Sequence, residues 1–177
     1  MSIILVTPLS EVEAAIRHYQ PSHLVTLLSP EHMIETPYGV LPERHLRLGV
    51  DDVADDYLSE RAPRAAHVES LIAFGRLWSA EAPILVHCWA GVSRSMAAAF
   101  VLLCDRHGPG RELEIAHALR WRAAHAYPNP LIVRLADEAL GRKGHMISAA
   151  EAIGRGVIVA EGERVELPLS LDALLAD

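Results

Sequence analysis

Short runs of consecutive apolar residues alternate along this chain with segments whose apolar positions recur every three or four residues. Ile3–Thr7 (IILVT), His23–Ser29 (HLVTLLS) and Pro83–Val86 (PILV) are apolar nearly throughout, the pattern of strands buried on both faces of a parallel sheet. Arg44–Val50 (RHLRLGV) alternates polar and apolar residues and reads as a further strand. Ser10 and Glu13 stand at capping-box spacing, so a helix is predicted from there to the residue before Pro21. Val68, Leu71, Ile72, Gly75 and Trp78 lie at helical spacing and predict an amphipathic helix. The run SMAAAFVLLCDRHG is apolar nearly all round, which predicts a buried helix ending at Gly108. Two more helices are predicted, one over Arg111–Ala126 and one opened by Asn129 as cap and Pro130 at the first helical position. Gly156–Pro168 (GVIVAEGERVELP) reads as a β-hairpin turning near Gly162. Strands and helices alternate, so the expected fold is α/β, a central mostly parallel sheet flanked by helices on both faces. One domain is expected over residues 1–177, with 145–177 as a C-terminal appendage.

Composition narrows the function more than the fold. With 177 residues, 51% of them hydrophobic and 22% charged, the chain has enough apolar surface for a core without disulfide staples. No apolar stretch approaches the ~20 residues of a membrane span, and the short N-terminal apolar run has no basic residues before it. A cytoplasmic protein is therefore expected. The net charge of −7 argues against nucleic acid or an anionic membrane as partner, so any bound anion must be held by local positive potential. Two cysteines make no disulfide framework, and the ten histidines show no ligand-like spacing. No metal or cofactor is expected.

The segment HCWAGVSRS, His87 to Ser95, stands between a buried strand and a buried helix. A helix N-terminus presents unpaired N–H groups and about half a positive charge. Gly91 lets the loop curl so that the amides of Trp89, Ala90, Gly91, Val92 and Ser93 converge, and Arg94 adds a planar fork matched to two phosphate oxygens. Cys88 stands at the start of this loop, where such a field favours the thiolate, a nucleophile on the floor of an anion cradle. Ser95 brings a hydroxyl within reach of that sulfur. His87 is expected to be buried and bonded to loop backbone rather than to act as acid or base. Trp89 points either into the surrounding core, which is favoured, or towards the rim, and Cys104, on the apolar helix, is expected to be an inert core residue.

H-C-x-x-G-x-x-R-S resembles the signature of the cysteine-based protein tyrosine phosphatase superfamily, and every fixed position of it is present here. The segment LRWRAAHAYPNPLIVRL is similar to the part of the compact dual-specificity phosphatases where an arginine-containing helix precedes a Pro-Asn pair, here Pro128 and Asn129. The resemblance covers roughly residues 45–140, and no Trp-Pro-Asp triplet of the large tyrosine-specific enzymes occurs. It implies a phosphatase of the small bacterial type that works without metal, with Cys88 as nucleophile, Arg94 and the loop amides binding phosphate, and Ser95 assisting release of the thiolate. It also implies an aspartic acid upstream to protonate the leaving oxygen. Asp51, Asp52, Asp55 and Asp56 crowd the loop after Arg44–Val50. Asp52, 36 residues before Cys88, is favoured, with Asp51 the alternative and Asp55 and Asp56 read as solvated surface.

The expected substrate is a phosphorylated protein or small phosphoester, with phosphate or sulfate the expected occupant of the loop. The absence of Lys, Arg and His between Cys88 and Arg94 favours phosphotyrosine or dual specificity over inositol phosphates. The rival readings are a phosphatase-like binding module without turnover, and sulfur transfer or arsenate reduction. Both of the last use a cysteine in an anion loop of different spacing or position.

Overall fold

Four strands lie parallel, β1 (Ile3–Thr7), β2 (His23–Leu28), β3 (His45–Gly49) and β4 (Ile84–His87), in a computed structural model that describes residues 2–176. A fifth, β5 (Val165–Pro168), runs antiparallel along β1, and the sheet order is β3-β2-β4-β1-β5. Every residue of β1, β2 and β4 is buried, the physical reason for their unbroken apolar runs. The edge strand β3 is covered less completely and keeps its alternation. Thr7 and Thr26 are both in register with His87, so the C-terminal ends of β1, β2 and β4 finish level and the loops that follow gather at one end of the sheet.

One face is covered by α1 (Val12–Tyr19), which sets Val12, Ala15 and Ile16 against Leu5, Leu24 and Leu85. The opposite face, with Ile4, Val6, Val25, Leu27, Ile84 and Val86, takes the larger core. Over it lie α2 (Ala65–Leu77), α3 (Arg94–His107), α4 (Glu112–Arg122), α5 (Pro130–Ala139) and α6 (His145–Ala152), with the short α7 (Leu171–Leu175) beside β5 and α4. α3 is buried without a break from Arg94 to Cys104, which is why its sequence is apolar all round. Each large side chain it buries, such as Phe100 or Leu103, contributes about 1.5–3 kcal/mol. Its C-terminal end is tied down by Arg142, which donates to the Cys104 carbonyl (2.8 Å) and to the buried Glu112 carboxylate (3.2 Å). Gly108, at φ +74°, ends the helix as predicted. Among the described residues no helix is long and apolar enough to cross a membrane.

Three expectations are corrected. The Ser10/Glu13 capping box does not form: a single 3-10 turn, Leu9–Glu11, precedes α1, and Ser10 Oγ donates to Glu161 (2.5 Å) instead. The hairpin over Gly156–Pro168 does not form either. Only its second half, β5, pairs, along β1, while the first half gives N–H groups to carbonyls outside the sheet. Residues 156–162 run instead as a strap: the Val157 N–H donates to the Ala124 carbonyl and the Gly162 N–H to the Ala90 carbonyl, each at 2.8 Å. Gly156 fits there because a Cβ would lie 2.6 and 2.8 Å from the carbonyl oxygens of Ala124 and Ala126. The third correction, at Trp89, belongs to the site.

Candidate active site

The buried strand β4 delivers His87 and Cys88 to the end of the sheet, and α3 begins six residues after Cys88 at Arg94. Between them the loop makes its turn at Gly91, with φ +71°. A side chain there is excluded twice over, because a Cβ would stand 2.8 Å from the Pro8 nitrogen and 3.0 Å from the Thr7 carbonyl carbon. Four of the five carbonyls from Trp89 to Ser93 are bonded to a neighbouring segment. Trp89 O accepts from Leu9 N–H (3.0 Å), Ala90 O from Gly162 N–H (2.8 Å) and Val92 O from Tyr127 N–H (2.9 Å). Ser93 O accepts from Asn129 N–H (3.2 Å) and Ala97 N–H (2.9 Å). Among the described residues no carbonyl outside the helices and strands takes a loop N–H, so these amides, at a helix N-terminus, are able to bind an anion.

Cys88 is buried, and its Sγ lies 3.1 Å from the Ser95 Oγ, itself fully buried. The Arg94 side chain is 93% covered and held by one bond, Nη1 to the Val50 carbonyl at 2.8 Å. Its Nε is buried without a partner. A buried guanidinium donor without a hydrogen-bond partner, next to loop amides bonded to no other backbone, is chemically able to take an oxyanion.

Asp51 and Asp52 diverge. Asp52 Oδ1 accepts from the Ser93 hydroxyl (2.7 Å) and the Asn129 side-chain amide (2.8 Å), while Oδ2 stands 3.8 Å from Arg94 Nε. Asn129 is fixed in orientation, since its Oδ1 caps α5 by accepting from Ile132 N–H (3.0 Å) and its Nδ2 also donates to the Val53 carbonyl (3.0 Å). Asp51 turns the other way and accepts from Ser59 Oγ (2.6 Å) and Arg61 Nε (3.2 Å). Hydrogen bonds from Ser29 and Ser59, then Arg61, hold its carboxyl below the usual carboxylate range. Asp55 and Asp56 pair on the surface with Arg134 (3.2 Å) and Arg64 (3.4 Å).

His87 is fully buried, with Nδ1 3.3 Å from the Cys88 carbonyl and Nε2 2.7 Å from Thr26 Oγ1. Burial pushes its imidazole down to about 4, so it is neutral at pH 7. Trp89 is not a core residue: it is 52% exposed, with the His32 ring 5.0 Å away, because its carbonyl is bonded inward to Leu9 and its side chain is carried to the rim. Cys104 is sealed in α3, where burial pushes its thiol far up, out of reach of ionisation. Among the described residues no three His, Cys, Asp or Glu side chains converge as a metal site requires.

Cys88, Arg94, Ser95, Asp52, Ser93 and Asn129 thus meet at one end of the sheet, and Asp51, Asp55 and Asp56 stand outside. Sequence reasoning missed the Val50 carbonyl that steadies Arg94, the Gly162 and Tyr127 amides that brace the loop, and Thr26 behind His87. Each acts through backbone or from a distant strand and leaves no local signature.

Among solved structures the fold is similar to that of DUSP15, with a TM-score of 0.61 and 18% identity over 86% of this chain and 88% of that one. It is similar to the PTP-2 phosphatase of Cydia pomonella, at 0.54 and 18% over 75% of this chain and 83% of that one. It is also similar to PTPMT1 in complex with PI(5)P, at 0.52 and 17% over 84% and 88%. At these identities the likeness is one of fold, and the fold class is that of the dual-specificity phosphatases. No family model matches the chain, and no curated protein matches it in sequence.

Proposed function

We propose that the chain is a cysteine-dependent phosphatase of the protein tyrosine phosphatase superfamily, acting on phosphate monoesters, with phosphotyrosine in proteins as the favoured substrate. The observation that carries this reading is the meeting of Cys88 Sγ, the unpartnered Arg94 Nε and Asp52 Oδ2 around one nest of free amides. A phosphoryl group set in that nest would give its equatorial oxygens to the loop N–H groups and the Arg94 fork. Cys88, as thiolate, attacks phosphorus in line. The S–P bond forms as the P–O bond to the leaving group breaks, and Asp52 gives its proton to the departing oxygen. Water then attacks the cysteinyl-phosphate, with Asp52 taking its proton, and the Ser95 hydroxyl donates to Sγ as the S–P bond breaks. Asp52 suits both roles because Ser93 and Asn129 grip one oxygen and leave the other turned to the cradle. All positive potential in this scheme comes from Arg94, the amides and the start of α3, so no metal ion is called on.

A phosphoinositide substrate is the second reading, favoured by the likeness of the fold to PTPMT1, whose structure holds PI(5)P. The loop interior, Trp89-Ala90-Gly91-Val92-Ser93, has no cation for a second phosphate, which favours the protein substrate. The test is phosphate release, without added metal, from phosphotyrosine, phosphothreonine and phosphoinositide substrates side by side. Turnover of the phosphotyrosine peptide, abolished in Cys88→Ser while vanadate still binds, is the expected result. Turnover surviving Cys88→Ser would overturn the nucleophile. Release from the phosphoinositide alone would move the substrate to the second reading, and release from none would leave a binding module.

A further inference from the structure

Behind Cys88, on the sheet face that α1 covers, three more polar side chains are linked to His87. Thr26, in mid-β2, has β4 on one side and β3 on the other. Its one hydroxyl lies 2.7 Å from His87 Nε2 and 2.8 Å from His45 Nε2. His45 Nδ1 lies 2.9 Å from the hydroxyl of Thr36, in the segment between β2 and β3. Thr26 and His87 have no exposure and His45 is buried, so the two bonds of the Thr26 hydroxyl are shielded from water, while the Thr36 bond is partly buried.

Proton counting gives the chain a single direction. The Cys88 carbonyl can only accept, so His87 Nδ1 carries the hydrogen and, in a neutral ring, Nε2 must accept. The Thr26 hydroxyl therefore spends its only proton on His87, and its oxygen must accept from His45 Nε2–H. That leaves His45 Nδ1 as acceptor for the Thr36 hydroxyl. Burial pushes both imidazoles down to about 4, which keeps them in the neutral form the chain requires. Reversal of any one link would set two lone pairs or two hydrogens face to face at the next.

We propose that Thr26, His45 and Thr36 are positioning residues for the nucleophile, a one-way hydrogen-bond relay that locks the tautomer of His87 and through it the peptide plane that follows Cys88. That plane carries the Trp89 N–H, the first amide of the loop, so the relay sets the sulfur and the first anion donor together. The proposal rests on the reading of Cys88 as nucleophile only for its kinetic consequence; the tautomers stand apart from it.

The experiment measures the histidine tautomers of the full-length protein by long-range ¹H–¹⁵N correlation at neutral pH, in the wild type and in Thr26→Val, Thr26→Ser and Thr36→Val. Turnover of an aryl phosphate is followed in parallel. The wild type is expected to show His87 protonated at Nδ1 and His45 at Nε2. Thr26→Val is expected to mix the His87 tautomers and to lower kcat about tenfold, the equivalent of one hydrogen bond, with KM changed far less. Thr26→Ser should restore both, and Thr36→Val should free the tautomer of His45. His87 protonated at Nε2 in the wild type would overturn the relay, whether or not any variant folds. So would a folded Thr26→Val that keeps the wild-type tautomer and kcat. The expected tautomers in a protein without turnover would uphold the relay and reject the phosphatase reading.

Discussion

Asp51 and Asp52 are adjacent, chemically identical and turned to opposite tasks. Asp51 closes its own loop, its carboxylate 17% exposed and gripped by Ser59 and Arg61. Asp52 is 39% exposed and shares Ser93 and Asn129 with the cradle. Asp52→Asn is therefore expected to slow aryl phosphates with poor leaving groups about 10²–10⁴-fold, the usual worth of a general acid, and to spare those with good ones. Asp51→Asn should leave that leaving-group dependence unchanged and lower the melting temperature, by the worth of about 1 kcal/mol for its hydrogen bonds. Rates across a series of substituted phenyl phosphates decide between them, and the reverse pattern would exchange the two roles. The spacing from Cys88 to Arg94 is legible in sequence because one loop holds it. Asp52 was legible only by its place after β3. The bonds that select it over Asp51 span 41 and 77 residues, to Ser93 and Asn129, and nothing local announces them.

At the scale of elements, what could be read was what burial alone dictates. β1, β2 and β4 are apolar runs because both faces are covered, and α3 is apolar all round for the same reason. What could not be read depends on partners elsewhere in the chain. α6 opens at Gly144 with no side-chain cap of its own. The Asp137 carboxylate, seven residues upstream on α5, takes the Gly144 N–H (2.7 Å) and, with its other oxygen, the Met146 N–H (2.9 Å). In the strap, Val157, Ile158 and Val159 have the look of a strand but are exposed, and the Val157 N–H is spent on the Ala124 carbonyl outside the sheet. The strap's hold on the loop can be tested at Gly162, where a Cβ would lie 2.5 Å from the buried His125 Nε2. Gly162→Ala is expected to cost about 1–3 kcal/mol as overpacking and to weaken vanadate binding, since the clash with His125 pushes the residue-162 N–H away from the Ala90 carbonyl. Unchanged vanadate affinity in a destabilised protein would confine the strap to a structural role.

The whole molecule has ten histidines, and burial holds those at positions 23, 45, 67, 87 and 125 below their ordinary pKa. In the unfolded chain each takes up a proton near pH 6.5. In the folded protein His45 and His87 do so only at about 4. The unfolded state therefore binds more protons across that window, and stability is full above pH 6.5 and is lost as the pH falls towards 4. The loss at each of these two is on the order of 3 kcal/mol, large against a total of about 5–15 kcal/mol. Denaturant titrations at pH 7.5, 6 and 5 should show the midpoint falling steadily. A midpoint unchanged down to pH 5 would mean that these rings accept protons without unfolding. The strap has a consequence in time as well. Of the five strands β1 is made first, yet its two neighbours β4 and β5 are made later than β2 and β3, and the Ala90 carbonyl meets its donor only at Gly162. On a ribosome, a nascent chain that already displays Cys88 and Arg94 still lacks the segment that braces their loop, so the loop acquires its full set of supports only after Gly162 has emerged.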